Sequence, residues 1–245
     1  MSSPALGIFI PAYNAEATLG SVLDRIPVEL WRNIQIVIVV DDGSKDATAS
    51  VARDKALRQP KIRVHSFEKN QGYGSAVRCG LTICREAGCD IAVCLHSDGQ
   101  YPPERIPEFA DHMWRSRIDI LQGSRHLDGK ALAGGMPVYK YLAGKGLTFL
   151  ENICLGHHLT DPHSGFLFYS RQALDVIPFD RISGYFDFDL EVIACALTLD
   201  LRVDELPISA RYAGERSYLS PFRYGLHALR VAMRYRLGYY RRLLN

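Results

Sequence analysis

Short β-branched runs alternate with longer amphipathic stretches through the first half of the chain, the pattern of stacked βαβ units on a mostly parallel sheet. The spacing predicts strands over residues 6–10, 34–40, 62–66, 91–95 and 118–122. The second and fourth are almost continuously apolar, which predicts central strands covered on both faces. Helices are predicted over 16–25, 46–58, 73–86 and 104–115, with Asp46 as the N-cap of the second. A Gly-rich loop over 123–136 then changes the rhythm. It leads to a helix from Pro137, a strand over 165–169, a helix over 188–199, a strand over 202–208 and a last helix over 221–244. In that last helix Phe222, Leu226, Leu229, Met233, Leu237, Tyr240 and Leu244 recur at helical spacing on one face. The expected organisation is an α/β domain over 1–210 with a C-terminal segment, 211–245, extending the same domain.

Composition adds bounds. A chain of 245 residues, 47% hydrophobic and 23% charged, is an ordinary globular one, long enough to bury a core without metal or disulfides. The net charge of +2 hides an uneven distribution: residues 211–245 hold eight Arg against one Glu, or +7, which leaves −5 for the rest. An acidic body with a basic tail does not read as a nucleic-acid binder. The six cysteines include no C-x-x-C pair, and Cys79, Cys84, Cys89 and Cys94 recur every five residues. On a continuous helix that spacing turns each by about 140° from the last, so they are expected not to converge on one ligand, and a reducing compartment is expected. The first residues show no basic region followed by an apolar core, and no apolar run spans a bilayer. The expected location is cytoplasmic, at most peripheral on a membrane.

Candidate chemistry sits where predicted strands end, the place at which open α/β sheets bind ligands. Pro11, Tyr13, Asn14 and Glu16 follow the first strand, Asp41, Asp42, Gly43 and Ser44 the second, Asn70 to Gly74 the third, and His96 to Gln100 the fourth. Asp42 alone reads as a turn former. Asp98 and Gln100 present two oxygen donors at i, i+2, a spacing that fits one hard cation sharing its shell with substrate phosphates; the plain alternative for Asp98-Gly99 is a tight turn. Other phosphate chemistries fail: there is no G-x-x-x-x-G-K-[ST] loop, Gly72-Tyr73-Gly74 lacks the last Gly of a dinucleotide fingerprint, and no H-E-x-x-H or G-x-S-x-G is present.

The ordered blocks IPAYNAEATL, VVDDGSKDAT, NQGYGSAVRCG, HSDGQYPPE, GSR, HSGF, FDFDLE and ELPISARYAGERS resemble family 2 glycosyltransferases. The likeness is to the branch of dolichyl-phosphate mannose synthase and polyprenyl-phosphate sugar transferases, and it covers nearly the whole chain. It implies a GT-A fold, a nucleotide-sugar donor, Mg2+ or Mn2+, and inversion at the anomeric carbon. Carried over by position, Pro11, Tyr13, Glu16, Asp41 and Gly72 would hold base and ribose, and Asp98 and Gln100 the metal. Arg125, Lys140 and Arg211 would hold the acceptor phosphate and leaving diphosphate, and Glu191 matches an acidic position of that branch. Two departures stand out. His96 replaces the first carboxylate of the usual D-x-D-x-Q, which looks toward the donor sugar, and Gly214-Glu215-Arg216-Ser217 replaces G-E-S-K.

The resemblance leads to an expected transfer from a UDP- or GDP-sugar to a polyprenyl- or dolichyl-phosphate acceptor. A lipid phosphate is already an anion and needs no strong base. A soluble or glycan hydroxyl acceptor would need one, for which Asp187, Asp189 and Glu191 are candidates and Asp189 is favoured; helix capping is their plain alternative. A nucleotide-sugar-binding subunit without activity is the reading His96 raises. For the basic tail the alternatives are a helix packed on its own domain or a second subunit in a homodimer, and an interfacial helix that meets an anionic membrane or a small membrane partner.

Overall fold

The computed structural model describes residues 3–127, 138–209 and 221–244. In chain order these form β1 (Leu6–Ala12), α1 (Leu19–Asp24), β2 (Ile34–Asp41), α2 (Thr48–Arg58), β3 (Ile62–Ser66), α3 (Tyr73–Glu86), β4 (Ile91–Cys94), α4 (Ile106–Ser116), β5 (Ile120–Ser124), α5 (Val138–Leu155), β6 (Leu167–Ser170), α6 (Arg171–Val176), α7 (Phe188–Thr198), β7 (Val203–Pro207), α8 (Pro221–Arg236) and α9 (Tyr239–Leu244). The seven strands make one sheet in the order β3-β2-β1-β4-β6-β5-β7. β1, β2, β3 and β4 run parallel, as do β5 and β7, and only β6 runs against its neighbours.

Two buried layers follow from the pleat. Ile8 and Ile10 of β1 face one layer with Val37 and Val39 of β2, and Phe9 faces the other with Ile36, Ile38 and Val40. This two-sided burial is why β2 and β4 read as continuous apolar runs. The strand order reverses between β1 and β4, so a crevice opens beyond their carboxyl ends. Register brings Ala12 beside Asp41 and Asp41 beside Ser66, which sets the ends of β1, β2 and β3 level.

Two expectations are corrected, on α2 and on the last helix, and two features are added. Ala47, not Asp46, takes the N-cap position of α2; Asp46 instead accepts from the Thr48 amide and hydroxyl. A short helix, α6, follows β6 with Ser170 as its N-cap, accepting from the Ala173 amide, an element too short to carry a periodic signal. The last helix breaks at Gly238, whose φ of 72° turns the chain into α9. Finally, Cys84 and Cys89 lie near each other: α3 ends at Glu86, Gly88 turns the chain at φ 73°, and both sulfurs lie 2.7 Å from where a Cβ on Gly7 would stand. All six cysteines are free thiols.

Candidate active site

The loops beyond β1, β2, β3 and β4 are tied to one another by side chains reaching backbone amides. Asn14 accepts from the Lys45 amide (2.9 Å), and its own amide donates to the Ser44 hydroxyl (2.9 Å). Glu16 accepts from the Ala47 amide (2.8 Å). Asp42 accepts from the amides of Gln71 (2.6 Å) and Gly72 (3.0 Å), and the Thr18 hydroxyl donates to the Ser97 carbonyl (2.7 Å). The four clusters therefore share one face. Burial raises the Asp42 carboxyl, and the two amides oppose that shift, so Asp42 is the bracket for the third loop rather than an exposed ligand. Pro11 and Asp41 are buried, Tyr13 is half-buried, and Asp41 accepts from the Ser44 amide (3.0 Å). Gly72 lies at φ 95°, and a Cβ there would meet the Gly184 carbonyl at 2.9 Å, so only glycine fits this approach.

At the crevice, Asp98 accepts from the Gln100 amide through Oδ1 (3.0 Å), while Gly99 takes φ 78°. The tight turn is therefore present, and it engages Oδ1 of Asp98. Among the described residues no cluster of three or more His, Cys, Asp or Glu surrounds a metal position. A cation at Asp98 and Gln100 would draw most of its shell from diphosphate and water, as hard cations held with phosphates do.

His96 belongs to a chain of three side chains. Its Nε2 is 3.1 Å from the Tyr73 hydroxyl, which donates to Asp189 Oδ2 at 2.8 Å. Since Tyr73 spends its one proton on Asp189, His96 is the donor to Tyr73. Burial holds the imidazole below its usual value, with Asp98 acting in the opposite sense, so a neutral ring occupies the carboxylate position and the crevice carries one negative charge fewer. The ring fits because residue 165 is glycine: a Cβ there would lie 2.4 Å from His96 Nε2. Tyr101 stands edge-on to His96 (5.0 Å between centroids) and accepts from the Gly165 amide (2.9 Å).

Asp189 and Glu191 are both buried because α7 is buried on every side from Phe188 to Ala196. They part ways by helical phase. Asp189 turns to Tyr73, its Oδ1 has no hydrogen-bond partner, and burial raises its carboxyl to about 7 against the opposing Tyr73 bond. Glu191 turns to the other side, accepting from the Ser183 amide and the Tyr240 hydroxyl (2.7 Å) with Arg234 at 3.6 Å. That environment makes it an anchor for α8 and α9. Asp187 accepts from the Ser183 hydroxyl and lies 3.5 Å from His227; its side chain makes no capping bond to α7.

Arg125 pairs with Asp161 in a fork, Nε to Oδ2 at 2.6 Å and an η nitrogen to Oδ1 at 2.8 Å, with the Arg125 amide adding a third bond (3.0 Å). Burial pushes the Asp161 carboxyl up, but Arg125's charge and hydrogen bonds outweigh it and bring it down to about 2. Lys140 stands in the first turn of α5, its side chain outside the described ones, and Arg211 also lies outside the described residues. Sequence reasoning passed over Asp161 and the role of Tyr73. Asp161 precedes the HSGF block by only two residues, and Tyr73 opens α3 inside a block already singled out. Neither has a local signal, since their partners are 36 and 116 residues away.

A cavity of about 720 Å³ opens at the opposite end of the sheet, lined by Trp114, Arg117, Asp119, Arg171 and Arg202 among others. None of the strand-end clusters contributes to it.

The glycosyl transferase family 2 model matches residues 7–177, well over half of the chain. The chain belongs to glycosyl transferase family 2. It is similar to the UDP-N-acetylglucosamine–dolichyl-phosphate N-acetylglucosaminyltransferase of Methanococcus voltae, 29% identical over 224 residues that cover 86% of this chain and 88% of that protein. The undecaprenyl-phosphate mannosyltransferase of Micrococcus luteus is also 29% identical, over 94% of this chain and 97% of that one. Among solved structures, glucosyl-3-phosphoglycerate synthase from Mycobacterium tuberculosis, bound to Mn2+, UDP-glucose and phosphoglyceric acid, superposes with a TM-score of 0.68 at 22% identity, covering 96% of this chain and 80% of that one. The protein is thus a glycosyltransferase with the GT-A fold that its motifs imply.

Proposed function

We infer that this glycosyltransferase moves a sugar from a nucleotide-sugar donor to a polyprenyl-phosphate-type acceptor, with inversion and with a divalent cation. Support for the acceptor class comes from relatives named for dolichyl and undecaprenyl phosphate that align along most of the chain. One observation about the chain itself carries it further. α5 and α8 pack together, and both turn large apolar side chains outward: Leu142, Phe149, Leu150 and Ile153 on α5, and Leu226 and Met233 on α8, with Leu237 exposed just past its end. α8 instead buries Ala228, Val231 and Ala232. The apolar stripe in the sequence therefore divides: Leu226, Met233 and Leu237 stay outside while Tyr240 is buried in the domain, and the uncovered part favours an interfacial role for these helices. Arg230, Arg236, Arg241 and Arg242 are exposed on the same segment, each contributing about 1 kcal/mol near an anionic surface. Among the described residues no helix is long and apolar enough to cross a membrane, so attachment would be peripheral.

Pro11, Tyr13, Glu16, Asp41 and Gly72 would line the nucleoside side of the crevice, and His96, Tyr73 and Asp189 the sugar side. Mg2+ or Mn2+ held by Asp98 and Gln100 would offset the charge that grows on the leaving diphosphate. Arg125, oriented by Asp161, with Lys140 and Arg211, would lessen repulsion between the two anionic reactants. A phosphate acceptor attacks as the anion, so no side chain need remove a proton. Asp189, near 7, is the group placed to act as base if the acceptor is a hydroxyl.

The test uses full-length protein, Mn2+, a panel of UDP- and GDP-sugars labelled in the sugar, and farnesyl phosphate. Label moving into the organic phase is expected for one donor. Label that stays in water-soluble product overturns the lipid acceptor. Asp98→Ala is expected to lose transfer by at least about a hundredfold with an unchanged melting temperature; full activity would remove Asp98 from the metal role.

A further inference from the structure

A second buried polar chain lies outside the strand-end clusters. Glu151 on α5 is 0% exposed, and neither of its oxygens has a hydrogen bond in line. His163 reaches it, with Nε2 3.1 Å from a carboxylate oxygen. The other ring nitrogen, Nδ1, is 2.9 Å from the Tyr224 hydroxyl on α8, and the two rings stand edge to face. Burial first, then the negative charges of Asp189 and Glu151, keep this phenol well above its ordinary range and so protonated; the charges of Arg125 and Asp161 bear on it as well.

The number of protons fixes the direction of the bond between His163 and Tyr224. A buried carboxylate and imidazole are far less costly as a neutral pair than with a net charge. Neutrality has three forms: carboxylate with imidazolium, carboxylic acid with imidazole protonated at Nδ1, and carboxylic acid with imidazole protonated at Nε2. The last leaves the buried acid hydrogen without an acceptor, since neither Glu151 oxygen has another partner among the described residues. In the other two Nδ1 carries a hydrogen, so His163 donates and the Tyr224 oxygen accepts. The hydroxyl proton of Tyr224 is then left over, and no described residue accepts it. A hydroxyl fixed as a donor, and within the influence of the Arg125 charge, matches an oxygen that only accepts, as those of a phosphate do.

We propose that Tyr224 donates this hydrogen bond to a phosphate oxygen of the acceptor, and that His163 and Glu151 are positioning residues that hold the hydroxyl as a donor. The assignment rests on the lipid-phosphate reading above. The acceptor's phosphate, rather than the donor's diphosphate, is the one chosen because Tyr224 and Glu151 lie on α8 and α5, the two helices whose apolar faces are exposed, whereas the nucleotide clusters lie beyond β1 to β4.

Calorimetric titration of the full-length protein with farnesyl phosphate, and separately with UDP and Mn2+, tests this in wild type, Tyr224→Phe, His163→Gln and the double variant. Tyr224→Phe is expected to weaken farnesyl phosphate about tenfold to a hundredfold, the worth of one hydrogen bond to a charged group, and to leave UDP unchanged, which also shows that the fold persists. His163→Gln is expected to weaken farnesyl phosphate similarly, yet to add almost nothing on top of Tyr224→Phe, because it acts only through that hydroxyl. Unchanged farnesyl phosphate binding in Tyr224→Phe overturns the assignment. So do weakened UDP binding, which would give the hydroxyl to the diphosphate, and additive effects in the double variant, which would make His163 merely structural. A wild type that does not bind farnesyl phosphate overturns the lipid-phosphate reading itself, and this assignment with it.

Discussion

Asp189 shows how far a residue's chemistry depends on its surroundings. An unfolded chain releases an Asp proton near pH 4 (about 3.9), but in the folded protein burial holds this one to about 7. Between those values the native state keeps a proton that the unfolded chain has lost. Asp189 therefore makes stability fall as pH rises from about 4 to about 7 and contributes no further slope above. Asp189→Asn is expected to flatten that part of the curve, read from melting temperatures at pH 5 and pH 8. A variant with the wild-type slope would show that Asp189 is ionised throughout. The same residue illustrates what can be read from sequence. FDFDLE announces three carboxylates at alternating positions, but helical phase and a tyrosine 116 residues away select the one that joins the crevice. His96 was legible as a substitution; that Gly165 makes room for its ring was not, since the two are brought together only by β4 and the segment leading into β6.

At the scale of elements, α8 is the informative case. The spacing of its Leu and Met residues is helical, and the helix is there, but Leu226 and Met233 on the face that spacing marks are left outside. The smaller Ala228, Val231 and Ala232 fill the contact with the domain, since close approach of helices favours small side chains. Leu226→Asp with Met233→Asp should release the protein from vesicles containing anionic lipid in a flotation assay, and should leave the melting temperature within about 1 °C because both positions are exposed. Equal flotation of variant and wild type would assign the stripe to something other than a membrane. Most strands lie within a residue or two of their sequence-predicted bounds, because their apolar runs are bounded by turn residues. The antiparallel direction of β6 has no such signature, since strand direction is a property of pairing and not of the strand.

For the whole molecule, the pairing of Asp161 with Arg125 joins the end of β5 to the segment before β6, and Glu205 on β7 accepts from the Thr160 amide and hydroxyl and the Asp161 amide. Three strands of the far half of the sheet meet at this point. Asp161 is 1% exposed, so removing its charge weakens the buried fork to Arg125; Asp161→Asn is expected to destabilise the protein by about 1.5–3 kcal/mol in urea unfolding, the worth of a hydrogen bond to a charged group. The pair's own pH dependence has the opposite sense to that of Asp189. Its contribution is complete above the unfolded carboxylate value near 4 and is lost as pH falls toward about 2. Wild type and variant should therefore converge in stability at low pH, and a gap that persists at pH 2 would argue for packing rather than charge.

By itself the sequence determined the α/β alternation, the four polar clusters at strand ends and the family they mark, because each depends on residues near one another in the chain. It also held the split between an acidic body and a basic tail, and the helical spacing of the tail. Tertiary structure decided which part of that tail is left uncovered, which of two carboxylates two residues apart reaches Tyr73, and that Asp161 pairs with Arg125. It also brought Glu151, His163 and Tyr224 into a line. These depend on contacts between residues far apart in the chain, whose burial and proton affinity exist only once the sheet has set them side by side.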